Sequence, residues 1–129
     1  MIDLPKFGDD RGCLVAVEGG NTIPFEIKRI YYIYDTLPGV SRGFHAHRNL
    51  KQVVICVHGS CDFVIDDGRV RNSIRLDNPS KGLLIDGVYW REMHNFSADC
   101  VLMVMASEHY CPEDYISCYD VFLKLFRSL

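Results

Sequence analysis

Two histidines separated by one residue, in the run Arg42-Gly43-Phe44-His45-Ala46-His47, are the side chains of this sequence best suited to chemistry. Side chains at i and i+2 of an extended strand share a face, so His45 and His47 point one way and Ala46 the other. If that face turns inward, two imidazoles enter one enclosed space side by side. Burying them costs free energy unless they are hydrogen-bonded or used. An unperturbed imidazole titrates at about 6.5, which suits the pair to taking a proton and giving it back near neutral pH. General acid/base chemistry is the reading these residues support.

Groups that could hold an anionic substrate stand in neighbouring segments. Arg42 sits three residues before His45, at the end of the loop that carries Pro38 and Gly39. Arg11, Arg29 and Lys51 are further candidates, and the planar fork of arginine matches two phosphate oxygens at once. In the run Arg29-Ile30-Tyr31-Tyr32-Ile33, Arg29 and Tyr31 share a strand face. The Tyr31 hydroxyl is therefore a candidate for a polar ligand contact as well as for the core. The other histidines read more blandly: His58 falls in a turn and is solvated, His109 is structural or at the surface, and the role of His94 is open.

Short strands must position these residues. Lys28 to Tyr34, Gln52 to Val57, Cys61 to Ile65, Ser73 to Leu76, Gly82 to Ile85 and Cys100 to Ala106 have strand composition. Turn signals separate them, and Asp66-Asp67-Gly68 is a strong hairpin signal. No helical period intervenes, which argues against a strand–helix–strand sheet and predicts an all-β sandwich or barrel. The end of the chain differs. Pro112-Glu113-Asp114 predicts a helix start, with proline in the first turn and acids at the positive end of the dipole. Ile116, Tyr119, Phe122, Leu123 and Phe126 then fall on one face at helical spacing. A C-terminal helix packed over the barrel or a partner subunit is expected.

Bulk properties bound the function. With 129 residues, one domain over 1–129 with its own core is the expectation. Hydrophobic residues at 48%, charged residues at 24% and a net charge of −3 argue against a general nucleic-acid or membrane-surface binder. The first residues lack a basic segment followed by an apolar stretch, and the apolar runs Val53 to Val57 and Cys100 to Ala106 are too short to span a bilayer. Six cysteines occur without a CxxC pair, several of them inside apolar runs, so reduced structural thiols in a cytoplasmic protein are expected.

The spacing of Gly39, His45, His47 and Gly59 resembles the first cupin motif, with Gln52 where that motif has glutamate. The second motif is degraded. Gly82 is present, but Val88 and Trp90 stand where proline and glycine are expected, Met93 falls at the ligand position and His94 comes one residue late. On a strand, one residue of offset turns a side chain to the other face. A metal site needs its ligands aligned within narrow distances. A cupin shell without a metal site is the expectation.

A closer resemblance covers almost the whole chain. The segments RGCLVA (Arg11 to Ala16), IPFEIKRIYYIYDT (Ile23 to Thr36), RGFHAH (Arg42 to His47), LKQV (Leu50 to Val53), GSCDFVIDDG (Gly59 to Gly68), Trp90 to Ser97 and DYI (Asp114 to Ile116) carry it. Together they resemble the dTDP-4-keto-6-deoxyglucose 3,4-ketoisomerases, also called WxcM-like. The resemblance implies a homodimeric cupin that acts on a dTDP-linked 4-keto-6-deoxyhexose in O-antigen or S-layer glycan biosynthesis, with His45 and His47 catalytic. Moving a ketone from carbon 4 to carbon 3 needs one group to remove the carbon 3 proton, one to return a proton at carbon 4, and donors for the enediolate oxygens. It needs no redox cofactor. One departure concerns the late element, which reads Trp90-Arg91-Glu92-Met93 where many members have W-H-E-M. Arginine stays charged and does not shuttle protons near neutral pH. If Arg91 faces the sugar, it bears on whether the 3-keto product is galacto or gluco. Three rival readings are a metal-dependent cupin with His45, His47, Gln52 and His94 as ligands, a non-catalytic nucleotide-sugar binder, and a 3,5-epimerase.

Overall fold

The computed structural model describes residues Met1 to Ser128; Leu129 and the side chains of Phe126 and Ser128 lie outside the described residues. Twelve short strands occupy most of the chain: Ile2–Asp3 (β1), Lys6–Asp9 (β2), Gly12–Val15 (β3), Arg29–Ile33 (β4), Arg42–His47 (β5), Gln52–His58 (β6), Cys61–Asp66 (β7), Arg71–Leu76 (β8), Lys81–Ile85 (β9), Trp90–His94 (β10), Val101–Ala106 (β11) and Tyr115–Ile116 (β12). A 3₁₀ turn, Pro112–Asp114, precedes β12, and one helix, Tyr119–Ser128 (α1), follows it.

The strands form two five-stranded sheets, in the orders β1-β9-β6-β11-β4 and β12-β5-β10-β7-β8, plus the separate β2-β3 hairpin. The expected all-β architecture is a sandwich; the sheets do not close into a barrel. Between them lies a core of Val54, Cys56, Phe63, Leu76, Ile85, Met93, Leu102 and Val104, drawn from both sheets. Strict alternation decides this: Val54 and Cys56 face the second sheet, while Val53 and Ile55 face out. That outer face is covered by Leu4, Ile23 and Phe25 of the N-terminal segment. The outer face of the second sheet packs Ala46 and Trp90 against Ile116 and Phe122. All six cysteines are free. Cys56 and Cys100, 3.8 Å apart at sulfur, are buried and fill core volume as small apolar side chains.

The C-terminal segment departs from the sequence-based expectation. The helix does not begin at Pro112. Asp114 ends a single 3₁₀ turn, and Tyr115 and Ile116 pair with His47 and Ala46 on the free edge of β5. Pairing with an exposed strand edge satisfies backbone groups that a helix opening there would leave to solvent, so tertiary contact overrides local propensity. The helix begins only after Cys118, whose carbonyl accepts the Phe122 N–H at 3.1 Å. Ile116 is thus a strand residue, Phe122 is fully buried beneath α1, and the side chain of Phe126 falls outside the described residues.

Candidate active site

β5 delivers both histidines to the inner side of the second sheet. Its neighbour β10 pairs Arg91 with His45 and Met93 with Arg42, and the register shifts between these pairs. Gly43 (φ +91°) and Phe44 (φ +59°) carry the left-handed backbone of the resulting bulge. Glycine is required at 43, because a Cβ there would lie 3.1 Å from the Arg91 carbonyl oxygen and 3.2 Å from Glu92 Cα. A larger residue would strain the left-handed backbone and force β5 and β10 apart by a few tenths of an ångström beside the histidines.

From His45 to His47 the alternation is clean, with Ala46 buried on the opposite face. The two imidazoles stand edge to face with ring centroids 4.9 Å apart. Tyr115 packs against both, at 5.1 Å from His45 and 4.4 Å from His47. His47 is 1% exposed, and its Nδ1 lies 3.1 Å from Asp114 Oδ2. A carboxylate only accepts, so this contact places the imidazole proton on Nδ1 and leaves Nε2 as a lone pair. The other Asp114 oxygen accepts the backbone N–H groups of Arg48 and Asn49 at 3.0 and 2.8 Å.

Arg91 is buried on the inward face of β10, in register with His45. One of its nitrogens donates to the Gln52 carboxamide oxygen, and Gln52 Nε2 donates to the Tyr31 hydroxyl at 3.1 Å. Tyr31 accepts that bond, so its own proton stays free to donate. The Arg29 guanidinium lies 5.2 Å from the Tyr31 ring centre and 5.6 Å from that of Tyr110. Among the described residues, three buried side-chain nitrogens lack a hydrogen-bond partner: Arg29 Nε, His47 Nε2 and Arg91 Nε. All three belong to this one site. An unpaired buried polar group costs about 1–3 kcal/mol, so their natural complement is an oxygen-rich ligand.

A cavity of about 420 Å³ opens at this end of the sandwich, lined by Arg29, His47, His109, Tyr110, Asp114 and Tyr115 among others. Its electrostatics keep the histidines neutral. Burial, then the charge of Arg91, then His45 hold the His47 pKa well below the usual imidazole range, with Asp114 opposing them. Burial and Arg91 also lower His45, against a hydrogen bond to the Gly43 backbone. Burial brings Arg91 down to about 10, so it remains a cation at neutral pH. The Tyr31 phenol is raised by burial and remains a donor.

The candidates read from the sequence separate into two groups. His45, His47, Arg29, Tyr31 and Arg91 come together here. Lys51 lines an adjoining hollow that shares Asn49 and Glu108 with the cavity. Arg42 lines a different hollow, beside Ile33 and Phe96. Arg11 lies on the exposed β2–β3 hairpin, paired with Asp9 at 2.5 Å. His94 faces outward with Glu92, bonded to Ser41 at 2.7 Å and Glu92 at 2.8 Å, so it does not join the paired histidines. Among the described residues no three His, Cys, Asp or Glu side chains converge as a ligand set. Sequence reading missed Asp114 and Tyr115 as site residues and took His109 for structure or surface, whereas it lines the cavity. The DYI segment was the available signal for the first two.

An antiparallel cupin sandwich with inward-facing paired histidines defines an enzyme-like site furnished for proton transfer. The family model described as "FdtA: WxcM-like, C-terminal" matches residues 1–127. The TDP-4-oxo-6-deoxy-alpha-D-glucose-3,4-oxoisomerase of Aneurinibacillus thermoaerophilus is 51% identical over 129 residues, covering 100% of this chain and 93% of that protein. A 3,4-ketoisomerase from Helicobacter canadensis superposes with a TM-score of 0.95 at 49% identity, over 98% of this chain and 95% of its own. The sugar 3,4-ketoisomerase QdtA of Thermoanaerobacterium thermosaccharolyticum, solved with TDP, superposes with a TM-score of 0.97 at 40% identity, over 98% and 93%. A histidine-to-asparagine variant of that enzyme has been solved with TDP-4-keto-6-deoxyglucose. The chain belongs to the WxcM-like family of sugar 3,4-ketoisomerases.

Proposed function

We propose that this protein converts dTDP-4-keto-6-deoxyglucose to a dTDP-3-keto-6-deoxyhexose, with His45 and His47 moving the proton. The observation that carries the reading is His47 Nε2, a buried lone pair without a partner at the wall of a cavity beside two arginines. The carbon 3 proton passes to one imidazole, and the C–H electron pair becomes the carbon 3–carbon 4 double bond of an enediolate. Returning a proton to carbon 4, while the carbon 3 oxygen gives up its own and re-forms a ketone, completes the exchange with no net gain or loss. His47 is the better-placed base, with His45 as its partner. The positive field of Arg91 and the free Tyr31 proton favour the enediolate oxygens, and Arg29 suits the diphosphate. A neutral carboxamide at Gln52, in place of the cupin glutamate, keeps the Arg91 cation from being cancelled.

Incubation with dTDP-4-keto-6-deoxyglucose in deuterated buffer containing a chelator tests the reading by NMR. A 3-keto product carrying deuterium at carbon 4 is expected, whereas unchanged sugar, or exchange at carbon 5, would defeat it. The chelator arm separates it from a metal-dependent cupin.

We also infer that two copies act as a homodimer, each a single domain over 1–129. Edge strand β4 exposes Ile30 and Tyr32 on its outer face (55% and 60%), Tyr34 just beyond it is 60% exposed, and the hairpin exposes Phe7 and Leu14 (62% and 59%). An unpaired edge and exposed apolar side chains favour a second copy as cover. If Arg11 touches substrate, it does so across that interface. Sedimentation equilibrium giving only the mass of one chain would remove the dimer. No helix among the described residues is long and apolar enough to cross a membrane. The six free cysteines favour a cytoplasmic setting.

A further inference from the structure

We infer that Asp114 is a positioning residue for the proton transfer, holding His47 in the tautomer whose Nε2 lone pair faces the reacting carbon. The inference rests on the proposed role of His47 and extends it from the static Nδ1 contact of Asp114 to a part in the reaction.

The geometry separates two jobs of one carboxylate. Oδ1 is saturated by the Arg48 and Asn49 N–H groups, which clasp the turn after β5 and fix the carboxylate plane. Oδ2 makes its contact with His47 Nδ1 at 3.1 Å. Strand β12 supplies the rigidity, because Tyr115 is paired with His47 across the sheet and its ring lies against both imidazoles. The imidazole can neither flip nor exchange its proton to Nε2 without leaving an acceptor facing an acceptor.

The surroundings give this contact a second effect. His45 on β5, Arg91 on β10 and Tyr115 on β12 bear on His47, and Arg29 on β4, Glu108 and His109 line the same cavity. Burial, Arg91 and His45 all disfavour an imidazolium at 47, and Asp114 is the group that favours it. When Nε2 takes a proton, the adjacent carboxylate stabilises the cation that forms. An orienting partner of this kind lowers the barrier without touching substrate.

Asp114→Asn is the informative variant. Its carboxamide oxygen can still accept from Arg48 and Asn49, but the amide N–H now faces His47 Nδ1 and demands the opposite tautomer, with the proton on Nε2. Nitrogen chemical shifts of ¹⁵N-labelled histidine should show Nδ1–H at His47 in the wild type and Nε2–H in the variant. In the same variant kcat should fall roughly 100- to 10,000-fold, the range contributed by a positioned base, because the inverted tautomer leaves Nε2 without its lone pair, while KM and TDP affinity stay within a few-fold. Asp114→Glu should recover part of the loss. Should Asp114→Asn misfold, the wild-type spectrum alone decides. A wild-type His47 protonated on Nε2, or a folded variant with unchanged kcat, overturns the inference. The parent reading fails separately, through retained turnover when His47 itself is replaced.

Discussion

His47→Asn is expected to lower kcat by roughly 100- to 10,000-fold, the range contributed by a positioned acid or base, with TDP binding intact. Asparagine is neutral like the native imidazole, and its amide can donate to Asp114 Oδ2 as Nδ1 does now. Little packing or charge is lost, so the effect isolates the proton acceptor. His45→Asn should fall in the same range. The double variant should be little worse than either single, because groups that act as a unit are not additive. Single-turnover kinetics with calorimetric TDP titration measures both quantities, and full turnover in the double variant would end the assignment. The pH profile carries the same signature. Both histidines are held below the usual imidazole range by burial and Arg91. The neutral base therefore persists as pH falls, and the acid limb of kcat/KM should lie below the value of about 6.5 for a free imidazole. Removing the Arg91 charge raises both pKa values and moves that limb upward.

The largest effect on stability is expected at Phe122. Its ring is fully buried between α1 and the outer face of the second sheet, 6.1 Å from the Trp90 ring and 5.8 Å from that of Tyr119. Phe122→Ala removes the main apolar anchor of α1 and leaves a cavity over Ala46 and Ile116. Such truncations cost about 3–5 kcal/mol, which for a chain of this size lowers Tm by roughly 10 °C or more. Because Ala46 lies between the histidines and Ile116 follows Tyr115, kcat should fall as well, by loosening β12 against β5. A calorimetric Tm within about 2 °C of wild type would show that α1 is not anchored through this ring.

Local rules made much of the molecule legible. The β-branched and aromatic runs became β4, β6, β7, β8, β9 and β11 within a residue or two, because their alternation is itself the cause of burial on one face. His45 and His47 were found for the same reason: a period of 2 fixes a shared face before any tertiary contact exists. Arg29 with Tyr31 followed the same rule. Strands without such runs were invisible. β1 and β12 have two residues each and are strands only because β9 and β5 offer them an edge.

Taken by itself, then, the sequence determined the strand pattern, the pairing of the two imidazoles and the family, since these depend on local spacing and residue type. Tertiary structure alone decided that the sheets stay an open sandwich and that Pro112 begins a turn, with the helix starting at Tyr119. It also decided that Asp114 and Arg91 are the charges acting on His47. The two charges act across 44 and 67 positions of sequence, Arg91 with His47 and Asp114 with His47, and the β12–β5 pairing that displaces the helix start is as distant. No local periodicity can encode which partner a buried charge will meet.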